Sequence, residues 1–303
     1  MKKKLIVLGL ITAMTFSMVA CGNDDKSDNE ITTATETNKN DDTKNNEEDS
    51  ADDKTDKEDS ADKKDELTDE YLLALPETDV KEFFYKEVEG GILLDGYWND
   101  PDGETIMVLP NQIDGKEVVE LSKEMFKARY CKAVVVNKNI KTIPYQCFQS
   151  SHIEKIILPE GLESISMDAF YLSHTEYIKL PSTLKSISND AFGSSSIKEI
   201  TIPKNVETIM GGAFSLCSNL ETVVFEGCPE LGDSVFLMSD NIKKVICYDG
   251  NIEFSKDEFI NSEALNPDAS DEDKQTTVTL VAPAGSKVEQ YAKDNGLNFE
   301  VLD

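Results

Sequence analysis

The chain has 303 residues, with 30 Lys and Arg against 59 Asp and Glu, and its net charge of −29 argues against nucleic acid and anionic lipid headgroups as partners of its surface. Two histidines in the whole chain leave little material for a histidine-based metal centre or catalytic dyad. The 39% of apolar residues still suffices for a sizeable core.

Residues 1–20 read as an export signal. Lys2, Lys3 and Lys4 form a basic start, and an uncharged run from Leu5 to Ala20 follows that is too short for a membrane span. Met18-Val19-Ala20-Cys21-Gly22 resembles the bacterial lipobox, with Met18 where that motif usually has Leu. The resemblance implies cleavage before Cys21 and a diacylglyceryl group on its sulfur, the two acyl chains that stable anchoring needs. The other reading of the same residues is a plain secretory signal cleaved after Ala20, with Cys21 a bystander.

Residues 21–66 carry the lipidated cysteine and an acidic linker. Residues 22–66 hold 18 acids and 7 lysines and contain no Leu, Val, Met or aromatic residue, so they cannot bury enough apolar surface to offset their ordering entropy. The expectation is a disordered, solvated stalk. The remaining 237 residues carry 20 basic and 41 acidic side chains, a net −21.

Residues 67–105 form an N-terminal segment and capping hairpin, read from Phe83-Phe84-Tyr85, Gly90-Gly91-Ile92-Leu93-Leu94 and Gly96-Tyr97. The loop from Asn99 to Glu104 has a calcium-like look but fails as an EF-hand, because Trp98 and Leu109 stand where acids are required. Asp-Gly at 102–103 fits a hairpin turn.

Residues 106–262 carry the decisive signal, a phenylalanine every 22 residues: Phe126, Phe148, Phe170, Phe192, Phe214 and Phe236. Ile143, Ile165, Ile187, Ile209 and Leu231 keep the same beat, as do Pro159, Pro181 and Pro203. A fixed period in the twenties marks a solenoid, whose units bury their apolar faces only by stacking. Short strands are expected at 134–136, 156–158, 178–180, 200–202, 223–225 and 245–247, paired into a parallel sheet, with proline ending several of them. After each strand a short helical or irregular turn returns the chain, with Ala169-Phe170 and its equivalents plugging the interior.

The pattern resembles the BspA-like leucine-rich repeats of bacterial surface proteins. Ile202-Pro203-Lys204-Asn205-Val206-Glu207-Thr208-Ile209, Ala213-Phe214, Cys217 and Leu220 carry the likeness almost column by column. It implies a capped repeat solenoid at a bacterial surface, serving adhesion or ligand binding. Residues 263–303 read as an acidic loop and a C-terminal cap, with Ser286 opening a short helix, Val288, Tyr291 and Ala292 on one face, Gly296 ending it, and Phe299 and Val301 in a closing strand.

No chemistry is expected from the remaining candidates. His152 and His174 are one position in consecutive coils, read as polar residues at the sheet edge, and Ser151, Ser173 and Ser195 repeat likewise at the coil edges, so they answer to the fold first. Cys147 takes the small-residue place before the plug, Cys217 the column where the resembled repeat has cysteine, and Cys131, Cys228 and Cys247 apolar columns, all as small hydrophobes, although an exported chain could join two of them. No nucleophile elbow, phosphate loop or zinc-protease helix occurs, and no cofactor, metal or enzymatic activity is expected.

The outward residues of the strands remain as the candidate binding face: Lys155, Ile157, Tyr177, Lys179, Glu199, Thr201, Val224 and Ile246. Their mixture of tyrosine, lysine and exposed aliphatics suits a partner, although β-branched residues also suit strands on their own account. The reading is a lipid-anchored protein on the extracellular face of the bacterial membrane, whose solenoid grips a host or neighbouring-cell protein or glycan. An envelope enzyme with an unrecognised site, or a structural spacer, are the alternatives.

Overall fold

A computed structural model of the chain describes residues 67–98, 103–256, 258–259, 268, 270 and 277–302. The export signal, Cys21, the acidic linker, most of the loop at 99–104 and nearly all of 260–276 lie outside these residues.

The described chain begins with a one-and-a-half-turn helix, α1 (Asp69–Ala74), whose Thr68 cap accepts a hydrogen bond from the Tyr71 N–H. β1 (Phe83–Val88) and β2 (Gly91–Tyr97) form the expected antiparallel hairpin. Gly91 is obligatory there, since a Cβ would stand 2.3 Å from the Glu117 carbonyl oxygen. β3 (Ile106–Val108), β4 (Gln112–Ile113) and β5 (Lys116–Leu121) complete the cap, with Asp114-Gly115 turning β4 into β5 at positive φ.

The coils follow: β6 (Tyr130–Val135), β7 (Thr142–Ile143), β8 (His152–Ile157), β9 (Ser164–Ile165), β10 (Ser186–Ile187), β11 (Glu199–Ile202), β12 (Thr208–Ile209), β13 (Thr222–Phe225), β14 (Glu230–Leu231) and β15 (Lys244–Cys247). The longer strands stack in parallel as β3-β6-β8 and β11-β13-β15-β16-β17, where β16 (Thr279–Ala282) and β17 (Asn298–Val301) flank helix α2 (Lys287–Asn295). The Ser286 hydroxyl accepts from the Glu289 N–H at 3.1 Å and Gly296 ends α2 at φ 68°, as the sequence predicts.

The coils depart from expectation in two places. The strand expected at 178–180 is reduced to a single bridge between Ile156 and Ile178. Thr175 stands where Ile153 and Ile197 stand in the flanking coils, and its buried hydroxyl donates to the Ile153 carbonyl at 2.8 Å, so a side chain binds that carbonyl here. The second departure concerns the segments after the prolines. They contain β7, β9, β10, β12 and β14, a second parallel sheet of two-residue strands in perfect register.

The third side of each coil is a hydrogen-bonded turn that carries the phenylalanine. The Phe148, Phe170 and Phe192 N–H groups donate to the Ala169, Ala191 and Ala213 carbonyls at 2.7, 2.7 and 2.8 Å. The six repeat phenylalanines, Phe126 to Phe236, are fully interior, stacked at 4.9–5.6 Å between ring centroids. Tyr97 extends the stack at one end and Phe259, 5.9 Å from Phe236, at the other. One apolar cluster therefore runs from the hairpin to α2.

Candidate binding surface

The outer side of the long-strand sheet presents two columns of side chains per coil. Pairing places Ala133 beside Lys155, Val135 beside Ile157, Glu199 beside Thr222 and Thr201 beside Val224. The sequence puts alternate strand residues on this side, and the strands obey.

At the N-terminal end this face is covered by the chain itself. α1 lies across β3, β6 and β8, burying Leu72 completely against Ala133 and Val135, with Leu67, Leu75, Ile106, Val108 and Ile157 packed around them. Asp69 holds Lys155 at 2.7 Å. Downstream of the helix the Thr78 N–H donates to the Val108 carbonyl at 2.9 Å, and the Val108 N–H donates to Thr78 Oγ1 at 3.0 Å, which closes the free edge of β3.

Beside α1 opens a groove of about 1030 Å³. It brings together Lys155, Ile157, Tyr177, Lys179, Glu199 and Thr201 from the expected face and leaves Val224 and Ile246 outside its lining. The groove crosses the interrupted coil, whose Tyr177 is half exposed with the Lys198 ammonium 5.6 Å from its ring centroid. That ammonium is fixed by Glu176 at 2.6 Å, a hydrogen bond that raises the Lys198 pKa.

Sequence reasoning missed the far wall, which comes from Asp69, Leu73, Leu75 and Glu77. Thr68 followed by Asp69 and Glu70 is a helix-start signal, yet nothing in it says where the helix docks. The polar rim is ordered by Asn111, whose N–H donates to Glu77 Oε1 at 3.1 Å, and by the buried Asn137, whose Oδ1 accepts from the Asn139 N–H while its Nδ2 has no protein partner. Asp69, Glu77, Glu160, Glu199 and Glu226 face Lys138, Lys155 and Lys179 around the groove, leaving it slightly anionic.

The other candidates are placed as follows. His152 and His174 stack at 3.8 Å, continuing a pile begun by Tyr130, at the edge of the coils. Ser151, Ser173 and Ser195 are buried and not edge residues, in one interior column with Cys217 and Ser239. Cys131, Cys147, Cys217 and Cys247 are buried free thiols, and burial pushes Cys217 up to about 11 and Cys247 to about 12. Cys228 departs from expectation and is exposed, because the chain leaves the β13 column at Glu226 before reaching it. Among the described residues no three potential ligands gather into a metal site, and no helix is long and apolar enough to cross a membrane.

Residues 141–266 match, in six copies, the family described as BspA type Leucine rich repeat region. Among solved structures, a leucine-rich repeat protein of T. pallidum is similar with a TM-score of 0.56 at 23% identity, over 74% of this chain and 98% of that one. A leucine-rich repeat protein from Bacteroides ovatus gives a TM-score of 0.43 at 17% identity, over 75% of this chain and 77% of that one. The pneumococcal vaccine antigen PcpA gives 0.40 at 18%, over 75% and 49%. No functionally curated protein matches the chain.

Proposed function

We propose, from the premise that these coils are BspA-type leucine-rich repeats, that the chain is a surface-displayed interaction protein. Cys21 anchors it to the outer side of the bacterial membrane, and its sheet face holds a protein or glycan of a host or neighbouring cell. The observation that carries this reading is the groove across the interrupted coil. It joins an apolar floor, a half-exposed tyrosine and opposed charges in a cleft large enough to take several side chains or sugar rings. Aromatic residues in such surroundings are the usual anchors of recognition.

The test has two arms. The purified full-length chain is passed over immobilised extracellular-matrix proteins and wall glycans, and a component bound by the parent chain is rechallenged with Tyr177→Ala and Lys179→Glu. A loss of roughly ten-fold or more in affinity from either substitution supports the face as the site. Unchanged affinity, or no bound component at all, overturns it. Separately, metabolic labelling with palmitate should mark the parent chain and fail with Cys21→Ala, and equal labelling of both would remove the anchor.

A further inference from the structure

We infer that the N-terminal part of the sheet face is a receptor for a short acidic amphipathic helix, and that α1 is its built-in, exchangeable occupant. This deepens the reading of the face as a binding surface, but its test needs no natural ligand.

The pocket is made by one small residue. In the outward column Ala133, Lys155, Tyr177, Glu199, Thr222, Lys244, only Ala133 lacks a long or branched side chain, and the vacancy above it is filled by Leu72. Ile106, Val108, Val135 and Ile157 form the walls. Asp69, one turn before Leu72, sets the register through Lys155. Recognition by one leucine and one first-turn acid is the helix-in-groove mode reduced to its minimum.

The contact is built to be reversible. Six residues are too few to hold a helix in water, so α1 is helical because it is docked. Of its residues only Leu72 is buried, while Tyr71 and Leu73 are 48% and 63% exposed. The ties at Glu77 and Thr78 are separate, made to Asn111 and to the edge of β3, so α1 can leave while both stay and the chain swings at Leu75 and Pro76. Departure would bare Ala133, Val135 and Ile157 next to Tyr177 and extend the groove along the sheet.

A fluorescent peptide of residues 66–79 is titrated into the full-length chain and followed by anisotropy. The parent chain should bind it weakly, because its own helix competes at high effective concentration. Leu72→Glu in the chain should tighten binding by roughly ten-fold or more, and a peptide carrying Leu72→Glu should not bind. Equal binding by parent and variant chains, or by parent and variant peptides, would overturn the inference. If Leu72→Glu unfolds the domain, as circular dichroism would show, a charge exchange replaces it. The Lys155→Glu chain should then prefer the Asp69→Lys peptide over the parent peptide, and no such preference overturns the proposal. Peptide binding without any surface partner would leave the helix receptor standing and remove the adhesive reading. A Tyr177-dependent partner without peptide binding would do the reverse.

Discussion

Glu258 is fully buried, and its carboxylate accepts the Phe236 N–H at 2.8 Å and the Ser255 hydroxyl at 2.6 Å. On the turn side of every earlier coil the phenylalanine N–H donates to a carbonyl of the next coil, so these peptide dipoles align along the solenoid with their N–H ends toward the C-terminus. Glu258 supplies the acceptor for the Phe236 N–H at this end of the row, as an acid does at a helix N-terminus. Burial raises its pKa above the usual carboxylate range, against the lowering effect of the hydrogen bonds from Ser255 and Phe236. The folded chain therefore holds this proton more tightly than the unfolded one. The contribution is greatest below the ordinary carboxylate pKa and declines as pH rises through the folded value.

His152 has the opposite sense. Burial and the neighbouring His174 lower its pKa, so its contribution is complete at neutral pH and is lost as pH falls through the ordinary imidazole range toward the folded value. Urea titrations from pH 4 to 8 should show Glu258→Gln removing the decline on the alkaline side and His152→Asn removing the loss that sets in as pH falls through the ordinary imidazole range. Glu258→Leu should cost about 1–3 kcal/mol, since it strands the Phe236 N–H.

At the scale of elements, each coil turns through two left-handed residues. Gln146, Asp168 and Asp190 occupy the first position and Ser150, Leu172 and Ser194 the second, all at φ between 52° and 57°. Leu172 and Leu216 are exposed there and carry the Cβ penalty of that conformation with no burial in return. Leu172→Asn should raise the urea midpoint by an amount equivalent to about 0.5–1 kcal/mol, and a lower midpoint would show that the leucine contributes packing after all.

The strand positions were legible because alternating apolar residues recur beside each proline. The two-residue strands of the second sheet were not, since a pair such as Ser164-Ile165 is too short to alternate. The interrupted coil was legible only in part. Thr175 breaks an apolar column in the sequence, but that its hydroxyl reaches the Ile153 carbonyl is a matter of geometry.

At the scale of the molecule, stability is a sum over neighbouring coils, so removing one whole period should be tolerated where removing a fraction is not. Deleting Glu160–Pro181 joins Pro159 to Ser182, brings β8 against β11 and β7 against β10, and keeps the phenylalanine stack in step. Calorimetry should record one cooperative transition at a lower temperature, and the structure should show a single outer sheet without the break. Deletion of half that segment should abolish cooperative unfolding. Two cooperative transitions in the full-period variant would mean that the coils do not share one core.

The sequence alone determined the period, the apolar columns that point inward and which strand positions point outward. Each of these is stated many times over by identical positions in successive coils, and the same physical demand for burial acts on every copy. Tertiary structure alone decided that α1 lies on the outer sheet and that the groove runs beside it across the interrupted coil. Leu72 finds Ala133 far along the chain through one unrepeated contact of shape and charge, and a contact made once leaves no periodic trace to read.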